Sequence, residues 1–239
     1  RSEHSDGMPR TPRPLPAHLG TAFTCAHPMA DGVTSGRLRG RDLERPFRGA
    51  RLLPTGALLD DGPLAIDRRK RDRVRLRAAA ARGILTPHAA LAGLTAAAVW
   101  GAPLPDEFDP DDDLCLITPH PHRAPRGRGV RGREVRSHLF STEERDGLRV
   151  TSPASTWALL GGELSPRWLT IIGDHLVRIP RSDRGAAQPH LQLASPQLLE
   201  RALREPGRRH RAGLEAALAG IRVGSASRLE TEYRLDAAA

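Results

Sequence analysis

Residues 22–53 constrain the fold more than any other stretch, because glycine and proline cut them into short segments. The pattern predicts a short helix ending at Gly32 and a second, arginine-rich helix that continues through about Arg41. A tight basic hairpin with its turn near Phe47–Gly49 follows. This order of elements is that of a winged helix-turn-helix, which we assign to residues 21–62.

The second predicted helix indicates which arginines would face a nucleic acid. At 100° per residue, Arg37 and Arg41 share a face, and Arg39 lies almost opposite when Leu38 points inward. We therefore expect the first two to enter a groove and Arg39 to contact a flanking phosphate. Basic side chains of the wing should also touch the DNA backbone. The complete set of predicted DNA-binding residues is Arg37, Arg39, Arg41, Arg48 and Arg51.

The charge of the chain favours a polyanionic partner. There are 37 basic residues against 28 acidic ones, a formal net charge of +9, and the sequence pI is about 11.1. A surface of this sign attracts nucleic acid and speeds the encounter with it. Because Lys70 is the only lysine, the excess is almost entirely arginine, and the codon bias of a GC-rich genome would produce the same enrichment.

Several features bear on location. No run of 18 apolar residues and no signal peptide is present, so we expect no membrane partner. Cys25 and Cys115 lack metal-ligand spacing, and two unpaired thiols are typical of the cytoplasm. Residues 1–20 carry four prolines among small polar residues and are predicted to form a disordered arm.

The rest of the chain predicts an α+β protein, with a small mixed α/β domain over residues 63–180 and a helical segment over 181–239. A helix from Ala65 to Arg82 precedes a sheet between Asp113 and Val150, in which Leu114–Thr118 forms a strand. Helices after Ser152 and Leu164 should pack on that sheet. The acidic run between these parts, 107–113, is predicted to be a solvated loop that offsets neighbouring arginines.

Nothing in the sequence forms a complete catalytic or metal site. His120 and His122 supply two ligands where zinc needs three or four. The arginine run that follows, from Arg123 to Arg136, is compatible with phosphate binding and equally with a mobile hairpin loop. Asp174 and His175 lack a nucleophile elbow, and no phosphate-binding loop or dinucleotide fingerprint is present. We therefore predict no catalytic residue, no metal and no cofactor.

Five segments together resemble the AbiEi-type (type IV) antitoxin-like proteins of actinobacteria, which carry an N-terminal winged helix. They are RLRGRDLERPFRGAR at 37–51, TAAAVWGAPLP at 95–105, DLCLITP from 113, GLRVTSPASTWALL at 147–160 and GDHLVR at 173–178. The resemblance covers about residues 22–177. It implies DNA binding, transcription regulation and a nucleotidyltransferase-like toxin as partner.

Many proteins of that family continue into a domain similar to very-short-patch-repair endonucleases of the PD-(D/E)XK class. GSASRLETEYRL at 224–235 is similar to the entry of that domain, and Glu230 would match its first acidic residue. The remaining catalytic carboxylates would lie beyond Ala239, so the resemblance implies a truncated nuclease-like domain and Glu230 as a remnant.

Three functions are compatible with these observations. The first is a DNA-binding, antitoxin-like transcription regulator. The second is a fragment of a nuclease-like protein whose catalytic part is missing. The third is an interaction protein that neutralises a toxin without binding DNA.

Overall fold

The computed structural model describes residues 12–54, 62, 64–225 and 227–238. Within these residues the chain is a mixed α/β protein with eight α-helices, a two-stranded sheet and a six-stranded sheet. Residues 55–61 and 63, around the predicted boundary between the first two domains, and residues 1–11 of the predicted arm lie outside the described part.

The helices and strands have the following bounds. The helices are α1 (Ala26–Ala30), α2 (Ala65–Ala81), α3 (Gly93–Val99), α4 (Pro153–Leu159), α5 (Pro166–Val177), α6 (Pro196–Arg204), α7 (Arg211–Gly220) and α8 (Arg228–Asp236). The strands are β1 (Ala22–Thr24), β2 (Ala50–Leu52), β3 (Ala90–Leu91), β4 (Leu114–Pro119), β5 (Arg126–Gly127), β6 (Val130–Val135), β7 (Thr142–Arg145) and β8 (Leu148–Thr151).

The N-terminal module contains the first predicted helix but not the second. The segment predicted to be helical through Arg41 forms only a 3-10 turn, Arg37–Arg39. The turn ends because Gly40 leaves the helical region, at φ −50° and ψ 146°, after its amide donates to the Arg37 carbonyl. Gly36 precedes the turn, so glycine bounds it on both sides. The second helix, which we predicted to enter a DNA groove, is therefore not formed in this segment.

The chain reverses where a wing was predicted. Glu44 and Leu52 exchange two backbone hydrogen bonds, of 2.9 and 3.1 Å, around a turn in which Gly49 adopts φ 83°. We call residues 44–52 the wing turn. Its last strand, β2, pairs antiparallel with β1, and the side chains of Phe47 and Leu52 enter the main hydrophobic core.

The six-stranded sheet lies at the centre of the molecule, with strand order β5-β6-β4-β3-β8-β7. The predicted strand at Leu114–Thr118 is confirmed, as β4. Strand β3 was not predicted, although it joins β4 to β8 through an antiparallel and a parallel pairing. It contributes only Ala90 and Leu91, both fully buried, which is too short for a period of two to show in the sequence.

Three helices after the sheet begin at the same dipeptide, serine followed by proline. Ser152, Ser165 and Ser195 each cap a helix by accepting a hydrogen bond from the amide three residues later, with proline at the first helical position. Helices α4 and α5 are joined by the fully buried Trp157, whose Nε1 donates to the Leu169 carbonyl at 2.9 Å.

Asp174 on α5 fixes the last helix to the body. This aspartate is 2% exposed, and it accepts from the Arg222 amide at 2.7 Å, from the Thr231 hydroxyl at 2.7 Å and from Arg234 at 2.6 Å. Two of these donors belong to α8. Asp174 thus anchors α8 from the buried side, and the ion pairs Arg228–Asp106 and Arg167–Asp236 hold its two ends.

None of the helices described is both long enough and apolar enough to cross a membrane.

Candidate nucleic-acid interface

Two of the five predicted DNA-binding arginines instead hold the N-terminal module together. Both nitrogens at the end of Arg37 bond to Asp42, at 3.0 and 2.7 Å, and its Nε donates to the Arg13 carbonyl. Arg51 donates to the carbonyls of Leu38 and Ala50, at 2.6 and 2.7 Å. The predictions that Arg37 reads a groove and that Arg51 contacts phosphate are not supported by these contacts, because both side chains are engaged internally.

The other three predicted arginines are available. Arg39, Arg41 and Arg48 are exposed, and in the described part of the chain their side chains form no hydrogen bond or ion pair. Arg45, which also belongs to the wing turn, donates to the backbone carbonyl of Arg39 and so ties the 3-10 turn to the wing turn. The exposed arginines are therefore carried by a braced loop structure and not by a helix.

A second basic element lies against the wing turn. Strands β5 and β6 form a hairpin whose turn contains Gly129, and the Gly129 carbonyl accepts from the Leu114 amide of β4 at 2.8 Å. A Cβ built on Gly129 would lie 2.7 Å from the Phe47 ring and 2.9 Å from the Pro46 carbonyl oxygen. Only glycine allows this approach, and at φ 84° it also supplies the required backbone conformation.

The contact brings exposed arginines from distant parts of the sequence together. Arg48 follows Phe47 directly, Arg128 precedes Gly129 directly, and Arg126 lies two residues before Arg128. All three are exposed, and none forms a hydrogen bond or ion pair through its side chain with the residues described. We call these three residues the wing–hairpin surface. In the sequence, Arg48 and the run from Arg123 to Arg136 are separate basic stretches. No local pattern indicates that residue 47 contacts residue 129.

The arginines of α2 differ, because neighbouring acids and carbonyls engage them. Arg73 bonds to Glu44 and Asp111 at 2.6 and 2.8 Å. Arg77 is 4% exposed and donates to two carbonyls of the acidic run at 2.6 Å, and burial lowers the pKa of its guanidinium. The prediction that the acidic run 107–113 offsets neighbouring arginines is confirmed.

The histidine pair is divided between two local contacts. His120 bonds to Glu134 through Nδ1. The ring of His122 stacks on that of His88, with centroids 3.6 Å apart and an angle of 8° between the planes. Among the residues described, no three histidine, cysteine, aspartate or glutamate side chains are grouped as metal ligands, and both cysteines are free thiols.

The groups that could have formed a catalytic triad are turned away from one another. Asp174 faces α8, and His175 bonds through Nε2 to the Trp100 carbonyl at 3.1 Å. Burial is the main cause that lowers the pKa of His175 to about 4, so the ring is neutral at pH 7. Ser152 and Ser155 bond to each other at 2.9 Å.

Glu230 occupies an exposed position in the first turn of α8. Its amide donates to the Ser227 hydroxyl at 3.2 Å, which is the cap of that helix. The other acid of this helix, Glu232, bonds to Arg228 at 2.7 Å. The pair with Arg228 accounts for the Glu232 carboxylate, and the Glu230 amide completes the helix cap.

No protein-family model and no curated protein matches the chain. A solved structure, described as the crystal structure of RV2827C protein from Mycobacterium tuberculosis, is similar at a TM-score of 0.40 and 17% identity. The similarity covers 92% of this chain and 78% of that one.

Proposed function

We propose that this protein binds duplex DNA through the wing–hairpin surface and acts as an antitoxin-like transcription regulator. One observation supports the DNA-binding part: Gly129 packs on Pro46 and Phe47, and the exposed arginines that flank this contact in sequence, Arg48, Arg126 and Arg128, have no carboxylate partner in the described structure. Burying the guanidinium charges of these side chains against phosphates would release counterions from DNA. The regulatory part, and a nucleotidyltransferase-like toxin as partner, rest on the sequence resemblance alone.

In this proposal the N-terminal module is a shortened winged helix-turn-helix. Its 3-10 turn is too short to lie along a major groove, so binding relies on the wing turn and the adjoining hairpin. Arg39 and Arg41 would add phosphate contacts beside them. Contacts of this type position a protein on DNA and carry little sequence information.

The direct test is fluorescence anisotropy with two labelled duplexes, one of random sequence and one from the region upstream of the gene. We expect the double variant Arg48→Ala/Arg128→Ala to bind both at least about tenfold more weakly near 0.1 M salt, because two phosphate contacts are lost. The matched control is Arg75→Ala/Arg204→Ala, which removes the same charge from arginines paired with Asp72 and Glu200.

Equal weakening in the two double variants would refute the assignment of the surface and leave only a net-charge effect. No binding of either duplex by the unmodified protein would favour the toxin-neutralising alternative. Cleavage of a duplex with Mg²⁺ or Mn²⁺ that is lost in Glu230→Gln would favour the nuclease-like alternative.

A further inference from the structure

A second basic region lies away from the wing turn, in a groove of about 540 Å³. Strand β6 and the residue after it form one wall, the end of α4 and the following 3-10 turn form the floor, and the loop between α6 and α7 closes the other side. The charged and titratable residues that line the groove are Arg133, Glu134, Arg136, Arg208, Arg209 and His210.

Two of these groups have partners within the chain. Arg133 bonds to Glu163 at 2.7 Å, and Glu134 bonds to His120. Arg136 and Arg209 are exposed and form no side-chain hydrogen bond or ion pair within the described structure. The groove therefore carries an excess of positive charge that the chain itself does not balance.

Arg208 adds a buried cation to this excess. Its residue exposure is 8%, and its Nε and Nη2 donate to the carbonyls of Ala202 and Leu139 at 2.9 and 2.6 Å. No described carboxylate lies within ion-pair distance of this guanidinium. Burial lowers the pKa of Arg208, with the charge of Glu205 acting in the opposite direction. The two carbonyls occupy Nε and Nη2, and Nη1 forms no hydrogen bond with the residues described, so this nitrogen remains for an anion in the groove.

The backbone beside the groove adopts an uncommon conformation. His210 has φ 58° and ψ 34°, and a Cβ on Gly162 would lie 2.8 Å from its ring. Left-handed backbone at a residue other than glycine is often retained where it positions a functional group. The ten-residue helix α7 begins directly after His210, and no side chain caps it. Its positive N-terminal end lies beside the arginines.

We infer that this groove binds a phosphorylated small molecule through Arg136, Arg208 and Arg209. Guanidinium groups pair with phosphate oxygens through parallel hydrogen bonds, and several converging arginines match an anion of more than one charge. The volume admits either free pyrophosphate or the triphosphate of a nucleotide, which share this chemistry. The site is separate from the wing–hairpin surface and does not depend on DNA binding.

Isothermal titration calorimetry of the full chain in 0.15 M NaCl tests the inference, with sodium pyrophosphate, ATP and sodium sulfate as probes. We expect pyrophosphate or ATP to bind at least tenfold more tightly than sulfate. In Arg136→Ala/Arg209→Ala the affinity should fall at least tenfold. Both residues are exposed and unbonded, so the fold should persist, and the melting temperature checks this.

Two controls separate this site from the DNA surface. Arg75→Ala/Arg204→Ala and Arg48→Ala/Arg128→Ala should both bind the phosphate probes as the unmodified protein does. ATP binding more tightly than pyrophosphate would identify a nucleotide, and equal binding would identify the phosphate groups alone. The inference is overturned if neither probe binds more tightly than sulfate, or if all three double variants lose affinity equally.

Discussion

The arginines of α2 and those of the wing–hairpin surface belong to equally basic stretches of sequence but have opposite surroundings. Arg73 and Arg77 form hydrogen bonds or ion pairs with acids or carbonyls of the loop 107–113. The side chains of Arg48 and Arg128 form neither with the residues described. The first pair therefore contributes to stability, and the second remains available to an external anion. The density of positive charge along a sequence does not show which of these two roles an arginine has. The role depends on which carboxylates and carbonyls the fold places beside it.

The largest expected effect on stability is that of replacing Asp174. This carboxylate pairs with Arg234, as Asp111 pairs with Arg73. Asp174→Ala removes three hydrogen bonds to a buried carboxylate and leaves the Arg222 amide and Arg234 without this acceptor, so the free energy of unfolding should fall by about 3 kcal/mol. Urea denaturation measures this loss, and Asp174→Asn should retain part of the stability through neutral hydrogen bonds. Unchanged stability in the alanine variant would contradict the assignment of α8 to this carboxylate.

Arg77 provides the direct counterpart to the wing–hairpin surface. Arg77→Ala leaves the carbonyls of Pro110 and Asp112 without this donor and removes a buried guanidinium that lies 5.6 Å from the Phe47 ring centroid. We expect a loss of about 2–4 kcal/mol in urea denaturation, with DNA affinity little changed at temperatures where the variant is folded. If the folded Arg77→Ala protein lost DNA affinity, Arg77 would belong with the arginines that bind DNA. That result would contradict the division between the α2 arginines and the wing–hairpin surface.

His175 is a basic group that the fold keeps neutral instead of pairing. Its folded pKa of about 4 lies below its usual value of 6.5, so the unfolded chain binds more protons between these two pH values. Stability should therefore approach its full value above about pH 6.5 and fall by about 3 kcal/mol as the pH drops towards 4. His175→Gln should flatten this part of the curve, and an unaltered pH dependence would exclude His175 as its source.

Local sequence rules located the elements that local interactions determine. The serine cap and the following proline at 152–153 mark the start of α4, and α5 runs from Pro166 to Val177, after Leu164 as predicted. Strand β3 was not predicted because two residues are too few to show the alternation of buried and exposed side chains typical of a strand. Its position depends on pairing with β4 and β8. Such pairings are set by the tertiary structure.

The predicted DNA-binding arginines have two kinds of surroundings in the structure, and their role in DNA binding stays a prediction. Arg37 was assigned to a groove on helical geometry, but two glycines and a bidentate bond to Asp42 hold it in a turn. Arg48 was assigned to the wing on the turn alone, and it is indeed exposed there. Its neighbours from the hairpin could not be predicted, because the contact of Gly129 with Pro46 and Phe47 joins positions more than eighty residues apart.

The central claim is that duplex DNA contacts Arg48 and Arg128, and the salt dependence of binding tests it most directly. We would measure the association constant of a random duplex at several NaCl concentrations and take the slope of log K against log[NaCl]. Loss of two phosphate contacts should make the slope about 1.8 units less steep in Arg48→Ala/Arg128→Ala. The slope of Arg75→Ala/Arg204→Ala should match that of the unmodified protein. An unchanged slope in the first variant, or equal flattening in both, would contradict the account.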